Sequence, residues 1–222
     1  FCSIYHPVGV AWVVNSYKKK GKALGINGIF GGVGIGSGAF IAGTLVNLFG
    51  WESAFIVPGI LSILISVILF TLIQFKLLSF KNVSSEFLDE NHSSTQLILV
   101  AIILLIAMFG LGLTFQIIQT TLPKLLDLRI ENITTYKIGV VVALIYGMSG
   151  LMSLVGGLLA DKFSLKKIYI IGLLGQVPCL YFIASLTGLP LIVLCLMAVL
   201  FNSSILPAEN ILLAKFTPEK HH

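Results

Sequence analysis

Residues 25–43 read GINGIFGGVGIGSGAFIAG, with glycine at eight of nineteen positions. A run this rich in glycine has two readings. One is a phosphate-cradling loop, which needs a preceding strand and a βαβ unit. Here the preceding residues form the lysine-rich turn 17–22, and the run continues uncharged to residue 49. The other reading is a membrane helix packed closely on its neighbours. Gly28, Gly32 and Gly36 recur every fourth residue, and Gly34, Gly38 and Ala42 do the same on a second face. Small residues at this spacing let backbones approach where lipid supplies no hydrophobic drive for helices to associate. Gly25 and Gly43 bound the same packing run. Two small-residue faces predict neighbours on two sides and a central place in the bundle. Glycine also weakens a helix in water by about 1 kcal/mol per residue relative to alanine, so the run is suited to bending.

The rest of the chain agrees with a lipid solvent. Of 222 residues, 57% are hydrophobic and 10% charged, and the mean hydropathy is +1.02. Soluble domains carry about 25% charged residues, so a soluble globular domain and a disordered chain are both excluded. A bilayer core of about 30 Å needs about 20 apolar residues as a helix. Uncharged runs of that order occupy 23–49, 53–75, 97–122, 138–160 and 168–187, and 189–214 is a sixth whose one charge is Glu209. They are too long, and apolar on too many sides, for the alternating strands of a β-barrel. The fold class is therefore all-α, a polytopic membrane bundle. The one substantial polar stretch, 76–96 (KLLSFKNVSSEFLDENHSSTQ), reads as a linker between two groups of helices, 1–75 and 97–222. Residues 1–16 are uncharged, short for a span and lack an initiator Met. They read as a helix met part-way, in a chain truncated at both ends.

The Lys and Arg bias sets the orientation. One set of alternate turns, with the C-terminal tail, holds Lys18, Lys19, Lys20, Lys22, Lys76, Lys81, Lys162, Lys166, Lys167, Lys215 and Lys220; the other holds Lys124, Arg129 and Lys137. The first set is cytoplasmic. The net charge of +5 thus reports topology, and a nucleic-acid partner is a poor explanation of it. Cys2, Cys179 and Cys195 fall inside spans and read as small apolar residues. Setting Pro7 against Pro207 aligns the opening of the chain with its end without a gap. Two halves of a repeated fold would produce that match.

Four local features resemble the major facilitator superfamily, over what would be helices four to ten of its twelve. KKKGKALGINGIFGG resembles the junction of its fourth and fifth helices. Gly50-Trp51 followed by Ala54-Phe55 is similar to the entry into its sixth. Gly157, Asp161, Lys162, Lys166 and Lys167 resemble its cytoplasmic G-x-x-x-D-[RK]-x-G-[RK]-[RK] loop between helices eight and nine, with Ser164 and Leu165 as departures. Gly25, Gly34, Gly38 and Gly43 stand in register with the antiporter signature G-x8-G-x3-G-P-x2-G-G, with Ala39 in place of its Pro and Ala42 in place of one Gly. The YHPVG segment (residues 5–9) is similar to drug-efflux members of the fosmidomycin-resistance type.

The resemblance implies a twelve-helix transporter of two pseudo-repeated halves. It would move a small organic solute outward by alternating access, coupled to protons, as a monomer in a bacterial inner membrane. An uptake symporter of the same fold, or a membrane scaffold or sensor without transport, are the alternatives. No catalytic motif, metal-ligand spacing or nucleotide loop is present in the sequence, so no enzyme activity, metal or cofactor is expected. His6 lies twelve residues before Lys18, about 18 Å from the cytoplasmic end at 1.5 Å per residue. It is a proton-coupling or cavity residue, or a structural histidine bonded to a neighbouring helix. Gln116 and Gln119, three apart on one helix face, are candidates for the outer half of the cavity, with Tyr146, Asn27 and Gln176 as further ones. Asp161 with Gly157, Lys162, Lys166 and Lys167 is either a latch onto a facing helix end or a solvated turn. Glu209, about 9 Å from Lys215, is a proton carrier or a gate paired with a basic loop. Trp51 at a span boundary reads as an interfacial anchor.

Overall fold

The computed structural model describes residues 9, 10, 12–14, 16–75 and 94–216, with side chains in the last stretch described for 102, 103 and 105–213. Six helices follow in order: α1 (Lys20–Phe49), α2 (Ser53–Gln74), α3 (Ser94–Arg129), α4 (Thr135–Ala160), α5 (Leu165–Ile183) and α6 (Gly188–Phe216). Ahead of α1, residues 9, 10, 12–14 and 16 are also helical, and there is no strand among the described residues. Each of the six helices contains a stretch long and apolar enough to cross a bilayer. The protein is an integral, multi-pass, all-α membrane protein. Most of the 76–96 linker, together with His6 and Pro7, lies outside the described residues.

One boundary differs from the sequence expectation. The third span was expected to end at residue 122 and a loop to start at Pro123, but α3 continues through Pro123 to Arg129. A proline inside a helix removes one backbone hydrogen bond, and membrane helices tolerate that loss where neighbours re-satisfy the backbone. The continuation has its own packing: Leu122 and Leu126, one turn apart, are both fully buried. On its exposed side Lys124 pairs with Asp127 at 2.7 Å.

The most extensive helix–helix contact among the described residues joins α1 to α4. The two run antiparallel and touch backbone to backbone along their length. A Cβ added to Gly25 would lie 2.9 Å from Leu154 Cα, one on Gly32 2.6 Å from Gly150 Cα, and one on Gly36 2.7 Å from the Ala143 carbonyl oxygen. At the outer end a Cβ on Gly43 would lie 3.2 Å from Gly139 Cα. At the inner end Gly21 and Gly157 abut so closely that a Cβ on either would strike the other's carbonyl. Gly28 faces the side chain of Ser153, whose Cβ would lie 2.7 Å from an added Cβ.

The second small-residue face behaves differently. Gly34 and Gly38 are exposed, and a Cβ on either would meet nothing within 4 Å among the described residues. The expected neighbour on that side is absent from them: α1's other contacts are with α2 and α6, and neither reaches this face. Gly50, with φ +88°, makes the left-handed turn into α2, where the exposed Trp51 meets Phe55 edge to face. Helix α2 has no buried residue and touches α1 alone among the described elements.

Helix α6 gathers the second group, packing on α4, α5 and α3. Its core joins Leu122 and Leu126 of α3, Val142, Ile145 and Tyr146 of α4, and Leu191, Cys195 and Val199 of α6. Toward the Asp161 end of the bundle, Gly156 of α4 lies against the backbone of Ser204, and Gly172 of α5 against Ile205.

The two glycine faces should respond oppositely to substitution. Gly32→Leu forces the α1 and α4 backbones apart and should cost at least the ~1–3 kcal/mol of ordinary overpacking. Gly34→Ala meets open space and should leave stability unchanged or raise it by up to ~1 kcal/mol. Thermal unfolding in detergent micelles measures both.

Candidate functional site

The first N–H groups of a helix have no partner within it. At α1 the N-cap residue, Lys19, contributes no side-chain bond. The partner comes from α4 instead. Gly21 N–H donates to Asp161 Oδ1 and Lys22 N–H to Asp161 Oδ2, each at 2.8 Å. Asp161 is the C-cap residue of α4, and its own N–H donates back to the Gly157 carbonyl at 3.2 Å. One carboxylate thus ends α4 and caps α1, in the geometry of an N-cap supplied from a distant part of the chain. Its negative charge lies at the positive end of the α1 dipole. The Gly21–Gly157 contact makes this reach possible, because any side chain there would lift Asp161 off the α1 N-terminus. Lys162, Lys166 and Lys167 stand exposed around the corner.

The outer end carries a bond of opposite sign. Arg129, the one arginine in the sequence, donates from its two terminal nitrogens to the carbonyls of Ala184 (3.2 Å) and Leu186 (3.5 Å), just beyond the C-terminus of α5. A cation at a helix C-terminus is favourable for the dipole reason reversed.

Glu209 on α6 is buried, with 6% of its surface exposed. Among the described residues it bonds no basic side chain; its carboxylate faces Tyr169 of α5, whose hydroxyl donates to Oε1 at 3.5 Å. The reason is depth. Glu209 lies inside the α5–α6 interface, while Lys166 and Lys167 are exposed. Asn202, Ser203 and Ser204 are buried on the same helix.

The remaining candidates do not converge on one chamber. Tyr146 is 1% exposed, its ring set edge-on to Phe115, and its hydroxyl has no hydrogen-bond partner among the described residues. Gln176 is 2% exposed on the face of α5 that packs on α6, and its Nε2 is likewise unpartnered among them. Both are packed inside helix interfaces. A polar residue inside a span turns away from lipid, and here the apolar α3–α4–α6 core and the α5–α6 contact already offer that shelter. Gln116 is exposed and Gln119 half-buried on α3, and Asn27 is half-buried on the wall of a groove at the N-terminal end of α1. His6 lies outside the described residues. Among the described residues, no three His, Cys, Asp or Glu come together to hold a metal ion.

The sequence model of the Major Facilitator Superfamily matches residues 1–150 and, overlapping, 104–222. The chain belongs to the major facilitator superfamily. Comparison with curated proteins and with solved structures gives no match. As a superfamily member the protein is a secondary transporter, and its α1–α4 contact joins helices from opposite sides of the 76–96 stretch. Gly21, Gly139, Gly150 and Tyr169 escaped the sequence reading. Gly21 extends the small-residue spacing 25, 28, 32, 36 by one further turn, a signal hidden by its place among lysines. Gly139 and Gly150 sit on the partner helix, whose small residues were not read as a face. Tyr169 shares the 3–4 spacing of Gly172, Gln176 and Cys179.

Removing the cross-cap should be measurable without a substrate. Asp161→Ala leaves two N–H groups without protein partners and should lower stability by about 1–2 kcal/mol. Lys162→Ala, one residue on and fully solvated, should stay within about 0.5 kcal/mol. Thermal melts of the two variants separate a cap from a merely charged turn.

Proposed function

We propose that this superfamily member is a proton-coupled exporter of a small organic solute, working by alternating access between the groups of helices on either side of residues 76–96. The observation that carries the reading is the Asp161 carboxylate bonded to the N-terminus of α1. In alternating access two bodies rock about a solute site near the midplane, and each end must be held shut by contacts that can also be released. A carboxylate on two backbone N–H groups at the solvated rim is such a contact. It is charge-assisted and local, and it exchanges for water without leaving a buried charge. In this reading Gly157 and Asp161 form the cytoplasmic latch, and Lys162, Lys166 and Lys167 hold the corner at the membrane surface. The glycine seam between α1 and α4 is the surface on which the two groups move.

Proton coupling rests on a second observation. Glu209 is a buried acid whose described partner is one tyrosine hydroxyl. A carboxylate with so few bonds is better tolerated when neutral, so it is suited to carry a proton between the two states. His6 is the second coupling candidate. Gln116, Gln119 and Asn27 are the candidates for solute contact, with Tyr146 and Gln176 reached only if the packed helices part. The outward direction, the antiport mechanism and the fosmidomycin-resistance-like substrate range rest on the glycine register and the YHPVG segment. A bacterial inner membrane and a monomeric state complete the proposal.

The test is solute flux in vesicles containing the full chain, with an imposed pH gradient. Export coupled to proton entry predicts that solute moves against the proton flow and accumulates on the acidic side. Glu209→Gln should retain solute exchange at zero gradient and lose the gradient-driven accumulation. Accumulation on the alkaline side would identify an uptake symporter, and an unchanged response in Glu209→Gln together with His6→Ala would remove both residues from proton coupling.

A further inference from the structure

A groove of about 460 Å³ opens at the cytoplasmic end of α1, walled among others by Trp12, Tyr17, Lys18, Lys19, Lys22 and Phe30. Its two chemistries are segregated along the membrane normal. Lys18, Lys19 and Lys22 are exposed at the cytoplasmic rim. Phe30, two turns into the span from Lys22, is 72% exposed, and Ile26 between them is 41% exposed. Trp12 and Tyr17, 56% and 53% exposed, stand on the opposite wall. Asp161, which meets the start of α1, has both oxygens on the backbone N–H groups of Gly21 and Lys22. Its charge is thus committed to the helix end beside the lysine side chains.

We infer that this groove binds an anionic phospholipid of the cytoplasmic leaflet, its phosphate among Lys18, Lys19 and Lys22 and an acyl chain along Ile26 and Phe30. Three arguments lead from the groove to that occupant. The first is charge: basic residues immediately cytoplasmic of a membrane helix attract anionic headgroups. The second is depth: Trp and Tyr settle at the headgroup level, with their apolar rings toward the acyl chains. The third is length. A headgroup phosphate alone would leave the Ile26–Phe30 wall bare, whereas a phospholipid covers both ends of the groove at once. Asn27, a candidate for solute contact above, shares the wall of this groove, but the inference rests on the lysines and the apolar wall and does not depend on the solute path.

Trp12 lies in the wall, so its fluorescence reports the occupant. The full chain is placed in phosphatidylcholine vesicles, and brominated lipid is titrated in as either phosphatidylglycerol or phosphatidylcholine. The Trp12 signal is taken by difference against Trp12→Phe. The expected result is that brominated phosphatidylglycerol quenches Trp12 at a lower mole fraction than brominated phosphatidylcholine. At about 1 kcal/mol, or roughly 5-fold, per lysine, the preference should exceed one order of magnitude. It should disappear in the triple variant Lys18→Gln, Lys19→Gln, Lys22→Gln, whose exposed side chains leave the fold intact by thermal melt. Equal quenching by the two lipids, or a preference that survives the triple variant, overturns the inference. Inorganic phosphate supplies a control for the headgroup chemistry. If millimolar phosphate displaces phosphatidylglycerol from Trp12, the groove is a soluble-anion site and the lipid assignment fails.

Discussion

Everything distinctive in this bundle depends on the backbone-to-backbone contact of α1 with α4. Lipid tails are as apolar as any side chain, so helices in a bilayer gain little by burying leucine against leucine. What remains is close packing, and the closest packing needs residues without a Cβ. The contact runs from Gly21 and Gly157 at one end to Gly43 and Gly139 at the other. A helix built this way would be weak in water, but in a membrane its internal hydrogen bonds have no water to compete with them. The glycine content that looks like a liability in a soluble protein is the condition for this interface.

The contact also decides where charge is placed. With Gly21 against Gly157, the residue that ends α4 arrives over the open N–H groups of α1, and that residue is an aspartate. At the opposite side of the membrane Arg129 performs the complementary task on the carbonyls beyond α5. Both bonds use the free backbone groups of a helix terminus, with the ion chosen by the sign of the dipole. They differ in what they join. Arg129 ties together helices on the same side of the 76–96 stretch, whereas Asp161 crosses between the two sides. A bond within a group stabilises it in every state; a bond between groups favours one relative position. We therefore propose the latch role for Asp161 and a structural one for Arg129.

Much of this was legible in the sequence, for a physical reason. Spans are legible because the bilayer fixes their length and forbids charge. The Gly28–Gly32–Gly36 face is legible because lipid leaves few other reasons for such spacing. Its outcome on the second face, where Gly34 and Gly38 meet nothing among the described residues, shows the limit: spacing marks a surface able to pack, not the neighbour that packs there. Helix α3 outlasts the uncharged run 97–122 because Leu122 and Leu126 carry it into packing of its own while Lys124 pairs with Asp127 on its exposed side. Tyr146 and Gln176 are legible as residues turned from lipid, because intramembrane polarity excludes lipid as a neighbour. It does not distinguish a cavity from a tight interface, and the structure places both in interfaces. Glu209 was recognisable as the one charge within a span, but its partner was not. Tyr169 lies on another helix, and only packing brings the two together.

The central claim, that Asp161 holds the cytoplasmic ends of α1 and α4 together as a releasable latch, is tested most directly by a distance. Spin labels at the exposed positions Lys22 and Lys162, in the full chain in lipid vesicles, report that separation by pulsed electron resonance. The account predicts a short-distance population that falls in favour of a longer one in Asp161→Ala, since a loss of one or two kcal/mol changes such a ratio by about 5–30-fold. A distance distribution identical in the parent chain and in Asp161→Ala would contradict it.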